Sequence, residues 1–377
     1  MNPLFYNLRI RRIQQETPDA ISLYFEVPED LKPLYRYKQG QYLTLRFNID
    51  GQDVRRAYSM SSSPIEPELA VSIKRVQGGL VSNYIHDRVS EGDQVKVMPP
   101  AGRFFTEVDA EQRKTYYLIG AGSGITPLYS ILKTVLEREP MSTVHLFYGN
   151  RNRESIMYRE RLDELAHKYA DQLYVTHILS QPKVEKKGLL SGIFGKKKAA
   201  DGDSWQSQVG RINRDTVARY LEQHPPRYAD CEYFICGPEG MMLAVQEVLT
   251  AQGIDKRKVH VEYFLSGTPG DGSDDTGEIA AAKRDTGTAA TVILNGETHQ
   301  VSVPNGKTVL DALLDKGVEA PYSCTNGSCT TCIAKLHKGD VEMDVSYGLD
   351  PDEVEEGYIL TCQAKPTSDA VELTYDI

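Results

Sequence analysis

The sequence of 377 residues contains no run of about 18 apolar residues, so no membrane-spanning helix is expected. Its opening, Met-Asn-Pro-Leu-Phe-Tyr, has no basic stretch leading into an apolar core, so no secretory signal is expected and the reducing cytoplasm is the expected compartment. There is no excess of basic residues either, since 43 Lys and Arg stand against 53 Asp and Glu, for a net charge of −10. The imbalance is local. From residue 289 onward 15 acidic residues face 5 basic ones, and the rest of the chain balances. An acidic end beside a neutral body argues against nucleic-acid binding. It suits electrostatic docking to a basic face, on this chain or on an outside acceptor, or else plain solubility. Cysteine is scarce, with six residues, but four of them are placed together in the acidic end.

Cys324, Cys329 and Cys332 are spaced C-x4-C-x2-C, and Cys362 follows after a gap. This is the ligand spacing of a plant-type [2Fe–2S] cluster, in which each of two irons takes two protein sulfurs. Zinc sites favour two C-x2-C pairs or Cys/His mixtures, and only one C-x2-C is present. A disulfide reading requires an oxidising compartment, which nothing here suggests. Gly327 lies mid-loop, where backbone must wrap closely and a Cβ would crowd it. A chain with such a centre carries single electrons.

The N-terminal part reads as strands at 5–14, 20–27, 41–49 and 70–76. Between the last two lies Arg55-Arg56-Ala57-Tyr58-Ser59, and after them Gly78-Gly79-Leu80-Val81-Ser82 opens a short helix. A glycine-led helix start offers free N–H groups to a diphosphate, Arg56 a bidentate phosphate clamp, and Tyr58 a flat face for an aromatic ring system. Together, Arg56-x-Tyr58-Ser59 and Gly79-x-x-Ser82 resemble the flavin-binding motifs of the ferredoxin–NADP⁺ reductase superfamily. The resemblance implies that Arg56 and Ser82 hold flavin phosphate, that Tyr58 packs on the isoalloxazine, and that Ser59 hydrogen-bonds near its N5. Lys74 and the loop to Ser82 are more similar to FAD-binding than to FMN-binding members. Pro99-Pro100-Ala101-Gly102-Arg103-Phe104 resembles the end of that family's antiparallel Greek-key barrel.

A second part alternates strands and helices. Strand 114–120 runs into Gly120-Ala121-Gly122-Ser123-Gly124-Ile125-Thr126-Pro127 and a helix to about Arg138. A glycine turn between strand and helix lets backbone approach a pyrophosphate. The spacing is not G-x-G-x-x-G, but it is similar to the NAD(P)-binding loop of the same superfamily. Strand 145–149 ends near Arg151, and Arg151, Arg153, Arg159 and Arg161 are available to a 2′-phosphate, which favours NADPH over NADH. Helical spacing turns Arg159 and Arg161 partly toward solvent. Cys236-Gly237-Pro238 resembles the family's nicotinamide-side loop, where a small polarizable side chain sits near the reacting carbon. Cys231 reads as a buried structural thiol. Glu262, Tyr263 and Phe264 resemble the end of a reductase domain, an acidic residue and an aromatic completing the flavin pocket. The expected catalytic set is Ser59, Cys236 and Glu262.

Residues 181–209 form a lysine-rich insert with a short apolar middle, a surface loop or a docking patch. Ser, Gly, Asp and Thr dominate about 24 residues near 265–288, a tether of roughly 25–30 Å. From 289 the pattern of strands, an Asn295-Gly296 turn and a helix at 308–316 resembles the β-grasp fold of plant-type ferredoxins. The expected organisation is therefore a flavin barrel (1–108), an α/β nucleotide-binding domain (109–264), a linker (265–288) and a ferredoxin domain (289–377). That order resembles the reductase subunits of bacterial multicomponent oxygenases, those of phenylacetyl-CoA epoxidase and ketosteroid hydroxylase among them. The resemblance implies electron flow from NAD(P)H through FAD and the [2Fe–2S] cluster to a protein acceptor, an oxygenase component, with a desaturase or cytochrome P450 as alternatives. Reduction of small molecules and a non-enzymatic redox switch are the other readings. The intact nucleotide and flavin motifs argue against the switch.

Overall fold

A computed structural model describes residues 4–182, 207–264 and 287–377. The expected linker and most of the lysine-rich insert lie outside the described residues. The last residues assigned to the insert, Gln208–Val209, instead add a strand to the second sheet.

The first sheet is antiparallel, with β1 (Tyr6–Thr17), β2 (Ala20–Glu26), β3 (Tyr42–Ile49), β4 (Gln52–Ser59), β5 (Leu69–Lys74) and β6 (Gln94–Val97) in the order β4-β3-β6-β1-β2-β5. A bridge between Met60 and Val71 ties the chain leaving β4 to β5, so the two edges of the sheet meet. Alternate apolar residues point inward, and Leu8, Ile10, Leu23, Leu43, Leu45 and Val97 are buried in one core. The β3–β4 hairpin sets Leu43 opposite Tyr58 and Leu45 opposite Arg56. Arg56 and Tyr58 therefore share one face of β4, and Arg55 and Ala57 the other. The helix α1 (Leu80–Arg88) follows β5.

The second sheet is wholly parallel, with β7 (Thr115–Ala121), β8 (Thr143–Asn150), β9 (Leu173–Leu179), β10 (Gln208–Val209), β11 (Cys231–Gly237) and β12 (Val259–Tyr263). β7 and β8 are buried almost throughout, as central strands covered on both faces must be. The covering helices are α2 (Ile125–Arg138), α3 (Arg159–Lys168), α4 (Arg214–Gln223) and α5 (Glu239–Ala251). The strand order β10-β9-β8-β7-β11-β12 reverses between β7 and β11. Open α/β sheets bind ligands at such a switch point, beyond the carboxyl ends of the strands.

The third sheet takes β13 (Thr288–Leu294), β14 (Glu297–Val303), β15 (Ile333–Lys338), β17 (Tyr358–Leu360) and β19 (Ala370–Thr374) in the order β14-β13-β19-β15-β17, with β16 (Val341–Met343) and β18 (Ala364–Pro366) paired beside it. β13 and β19 run parallel and the remaining pairs antiparallel. The helix α6 (Val309–Asp315) starts at Thr308, whose hydroxyl accepts from the Asp311 N–H while Asp311 accepts from the Thr308 N–H, a reciprocal cap. A second, short helix, α7 (Pro351–Glu355), carries acidic residues in its first turn.

The barrel and the parallel sheet are joined by a polar seam. Ser63 bonds Thr134 at 2.7 Å, Ser130 donates to the Ser62 carbonyl at 2.6 Å, and Tyr158 donates to Ser72 at 2.6 Å. Arg161 pairs with Glu16 and lies over the Tyr158 ring at 4.8 Å. Its guanidinium reaches the barrel while 31% of the side chain stays exposed, so the placement partly toward solvent is met and a barrel partner is added.

Candidate functional site

A cavity of about 420 Å³ opens along the face of β4 that carries Arg56 and Tyr58. Gly78, Gly79 and Ser82 line it at the start of α1, and Ser59, Lys74, Thr126 and Glu262 complete its wall. Gly79 caps α1 with extended backbone, and no acidic residue occupies the first turn to compete for the free N–H groups. The Ser82 hydroxyl accepts from the Val76 N–H at 3.1 Å, which folds the glycine turn back on the helix start. Arg56 donates only to the adjacent Arg55 carbonyl at 2.7 Å, so its charge has no carboxylate partner among the described residues. An anion entering here meets an arginine and a helix N-terminus together, which fits a flavin diphosphate.

At the cavity's inner end Ser59 donates to Glu262 at 3.0 Å. Burial pushes the Glu262 carboxyl up to about 8, against the opposing pull of that hydrogen bond. The carboxyl is therefore mainly neutral at pH 7. Lys74 sits where this cavity and the next meet, paired with Asp19 at 3.6 Å, and burial lowers its ammonium from the ordinary range.

The second cavity, of about 780 Å³, lies at the switch point of the parallel sheet. Gly122, Gly149, Arg151, Gly237 and Pro238 line it. The loop after β7 must be glycine for steric reasons, because a Cβ on Gly124 would lie 2.1 Å from the Cys236 carbonyl oxygen. At Gly120, within β7, a Cβ would meet the tip of the Leu128 side chain at 2.5 Å, which can shift, and the Cys236 carbonyl oxygen at 3.2 Å. Pro127 and Thr126 begin α2 and are buried. Arg151 donates to Asp19 of the barrel at 2.9 Å while still lining the cavity. Arg211 and Asn213, which the sequence did not single out, stand on the same wall. The Arg211 guanidinium is exposed, with no ion pair among the described residues.

Cys236 is fully buried in the helix-covered core and lines neither cavity, but it pairs in register with Glu262 and so stands beside that flavin-cavity carboxyl on the same face of the sheet. Its neighbours Gly237 and Pro238 form the wall instead. Cys231, expected to be the buried thiol, is only partly buried and donates to the Tyr228 carbonyl at 3.4 Å. Phe264 lines both cavities and is 39% exposed.

The four expected cluster ligands converge. All four are buried and unpaired in disulfides. Cys324 is within hydrogen-bonding reach of Cys329 and Cys362, and Cys362 also of Cys332. No three Cys, His, Asp or Glu side chains among the described residues surround a single metal ion. The contacts link the four thiols in a row, Cys329–Cys324–Cys362–Cys332, and four converging thiols fit a two-iron centre with two protein sulfurs per iron. Gly327 has φ of 74°, and a Cβ there would lie 2.7 Å from Val345 Cγ2, so the crowding comes from the neighbouring loop.

The cluster loop is docked against the barrel. Cys324 and Cys329 pack on Tyr42, beside Ala57 and Ala101, and Cys324, Asn326, Ser328 and Cys329 form part of the flavin cavity's wall. Arg55, on the opposite face of β4 from Arg56, lies over the Tyr322 ring at 3.9 Å and within 3.7 Å of Glu319. Arg46 pairs with Glu319 at 2.9 Å, Arg103 pairs with Glu353, and Tyr347 stacks on Tyr263 at 4.6 Å. One strand thus holds the flavin site on one face and the cluster domain on the other.

Three family models match in the same order: an oxidoreductase FAD-binding domain at residues 7–106, an oxidoreductase NAD-binding domain at 118–247, and a 2Fe-2S iron-sulfur cluster binding domain at 292–367. The chain belongs to the iron–sulfur flavoprotein reductases of oxygenase systems, oxidoreductases that use FAD, NAD(P)H and a [2Fe–2S] cluster and deliver electrons to an oxygenase component. It is 35% identical to the E component of 1,2-phenylacetyl-CoA epoxidase from Escherichia coli, over 99% of this chain and 98% of that protein. The ferredoxin reductase component of 3-ketosteroid-9-alpha-monooxygenase from Rhodococcus rhodochrous is also 35% identical, over 98% and 96% of the two chains. Phthalate dioxygenase reductase shares the fold across 98% of both chains, with a TM-score of 0.55 at 22% identity. No described helix is long and apolar enough to cross a membrane.

Proposed function

We propose that the chain oxidises NADPH in preference to NADH and feeds the oxygenase component of a multicomponent system of the phenylacetyl-CoA epoxidase or ketosteroid hydroxylase type, in the cytoplasm. The observation that carries this reading is the shared wall. Tyr58, Ser59 and Ser82 line the same cavity as Cys324 and Cys329, so a flavin held there lies beside the cluster ligands. When bound, the flavin supplies the step from two-electron to one-electron chemistry, and the protein supplies position and electrostatics.

Arg56, Gly79 and Ser82 hold the diphosphate, Tyr58 the ring system, and Ser59 with Glu262 keeps a proton at the inner end of the cavity. Gly120, Gly122, Gly124, Thr126, Pro127, Gly237 and Pro238 shape the nucleotide cleft, and Cys236 supports its wall from behind. Cys324, Cys329, Cys332 and Cys362 hold the cluster. The preference for NADPH rests on Arg151 and Arg211, two cations on one cavity wall. The cytoplasmic setting rests on six free cysteines, four of them grouped as ligands. Reconstitution with the oxygenase components of these two systems, each supplied with NADPH or NADH, tests the proposal. Turnover with one of them, and a higher kcat/KM for NADPH, is expected. Turnover with neither, or equal use of both nucleotides, contradicts it.

A further inference from the structure

Tyr42 belongs to the barrel, yet its hydroxyl ends in the cluster domain. It meets the Thr331 hydroxyl at 2.8 Å, and Thr331 Oγ1 lies 3.5 Å from Cys329 Sγ. The Tyr42 ring is buried against Cys324 and Cys329. A hydroxyl has one proton to donate. When Cys329 is a ligand thiolate it accepts only, so Thr331 gives its proton to the sulfur and its oxygen accepts from Tyr42. The result is a two-bond chain, Tyr42 to Thr331 to Cys329, that crosses from one domain to the other. Thr330 also comes within reach of the phenol, but among the described residues it is Thr331 that reaches Cys329.

Hydrogen bonds to ligand sulfurs are among the factors that set a cluster's reduction potential. A donor of this kind favours the form carrying the additional electron. A hydroxyl that is itself accepting a hydrogen bond is a stronger donor, because chained bonds polarise one another. The structure assigns to Tyr42 the raising of the cluster's reduction potential through Thr331, a positioning role that exists only while the cluster domain is docked on the barrel. Docking thereby makes the cluster a better acceptor at the place where it receives electrons. Away from the barrel it loses Tyr42 and becomes the stronger reductant toward an outside acceptor.

This inference rests on the electron path proposed above. The test is a potentiometric titration of the full-length holoprotein followed by EPR. Tyr42→Phe keeps the ring and its packing and deletes the hydroxyl. It is expected to lower the reduced-to-oxidised ratio of the cluster at a fixed potential several-fold, up to about tenfold for the net worth of one hydrogen bond, or about 59 mV for a one-electron couple. Thr331→Val is expected to lower it at least as far, and Thr331→Ser to restore it. In the Thr331→Val background Tyr42→Phe is expected to add nothing, since Tyr42 acts through that hydroxyl. An unchanged cluster potential in Tyr42→Phe, with a full cluster signal, overturns the inference. So does a Tyr42→Phe shift that persists undiminished beside Thr331→Val. A wild-type protein with no reducible cluster signal would instead overturn the electron path itself.

Discussion

Glu262 offers the sharpest prediction about the flavin site. Its carboxyl is pushed from the ordinary range near 4.5 up to about 8 by burial, and the Ser59 hydroxyl at 3.0 Å only partly offsets the shift. At pH 7 about nine in ten molecules therefore carry a neutral carboxyl there. Hydride arrival adds negative charge to the occupant of the cavity, which a neutral acid tolerates and a carboxylate opposes. The rate of flavin reduction, read by rapid mixing with saturating NADPH, is expected to be level below pH 7 and to fall as pH rises through about 8, by up to tenfold per unit. Glu262→Gln freezes the neutral form. The variant is expected to lose the pH break and, where the proton itself is not required, to stay within a few-fold of wild type at pH 7. A wild-type profile flat from pH 6 to 10, or a break that survives in Glu262→Gln, would refute the reasoning.

Other consequences can be measured independently. Because the folded-state value of Glu262 is raised, folding takes up a proton between about 4.5 and 8; its favourable share of stability is complete below 4.5 and lost as pH climbs through 8, and denaturant titrations of Glu262→Gln should lack that decline. Arg211→Ala should raise KM for NADPH ten- to hundredfold, the scale of a lost charge-assisted hydrogen bond of about 1.5–3 kcal/mol, and leave KM for NADH nearly unchanged. Cys332→Ser should abolish the reduced-cluster EPR signal and acceptor turnover while NADPH still bleaches the flavin. Glu319→Lys removes the cluster-domain carboxylate that Arg46 and Arg55 share, leaving them Asp53 of the barrel, and sets like charges together, so transfer from flavin to cluster should slow several-fold; the loss should shrink as salt screens the repulsion.

The ligand-binding parts were legible because their chemistry restricts residue type. Four thiols at fixed spacing, glycines where a Cβ has no room, and an arginine two residues before a tyrosine survive as local patterns. Gly124 shows why, since its Cβ would meet the Cys236 carbonyl at 2.1 Å. What escapes the sequence depends on partners distant along the chain. Arg55 and Arg56 look alike in the string, and only the alternation of β4, with Tyr322 and Glu319 arriving from another domain, gives them opposite tasks. Helical spacing turns Arg161 partly to solvent, and the fold adds Glu16 on β1 as its partner. Arg211 follows a long insert, so no neighbouring motif points to it. Cys236 stands in the expected tripeptide, and β11 pairs with β7 on one side and β12 on the other, so the thiol lies in that core beside Glu262. The β-grasp helix was legible because Thr308 and Asp311 cap it within four residues. The docking of its domain on the barrel was not, because salt-bridging surfaces leave no short pattern.

Anaerobic titration of the purified holoprotein with NADPH and, separately, NADH, followed by visible absorbance and EPR, tests the central claim most directly. The account predicts flavin bleaching together with a rhombic signal from the reduced cluster, reached at lower concentration with NADPH. Bleaching of the flavin with the cluster left oxidised would contradict it, because a cluster docked against the flavin cavity would then not be receiving the chain's own electrons.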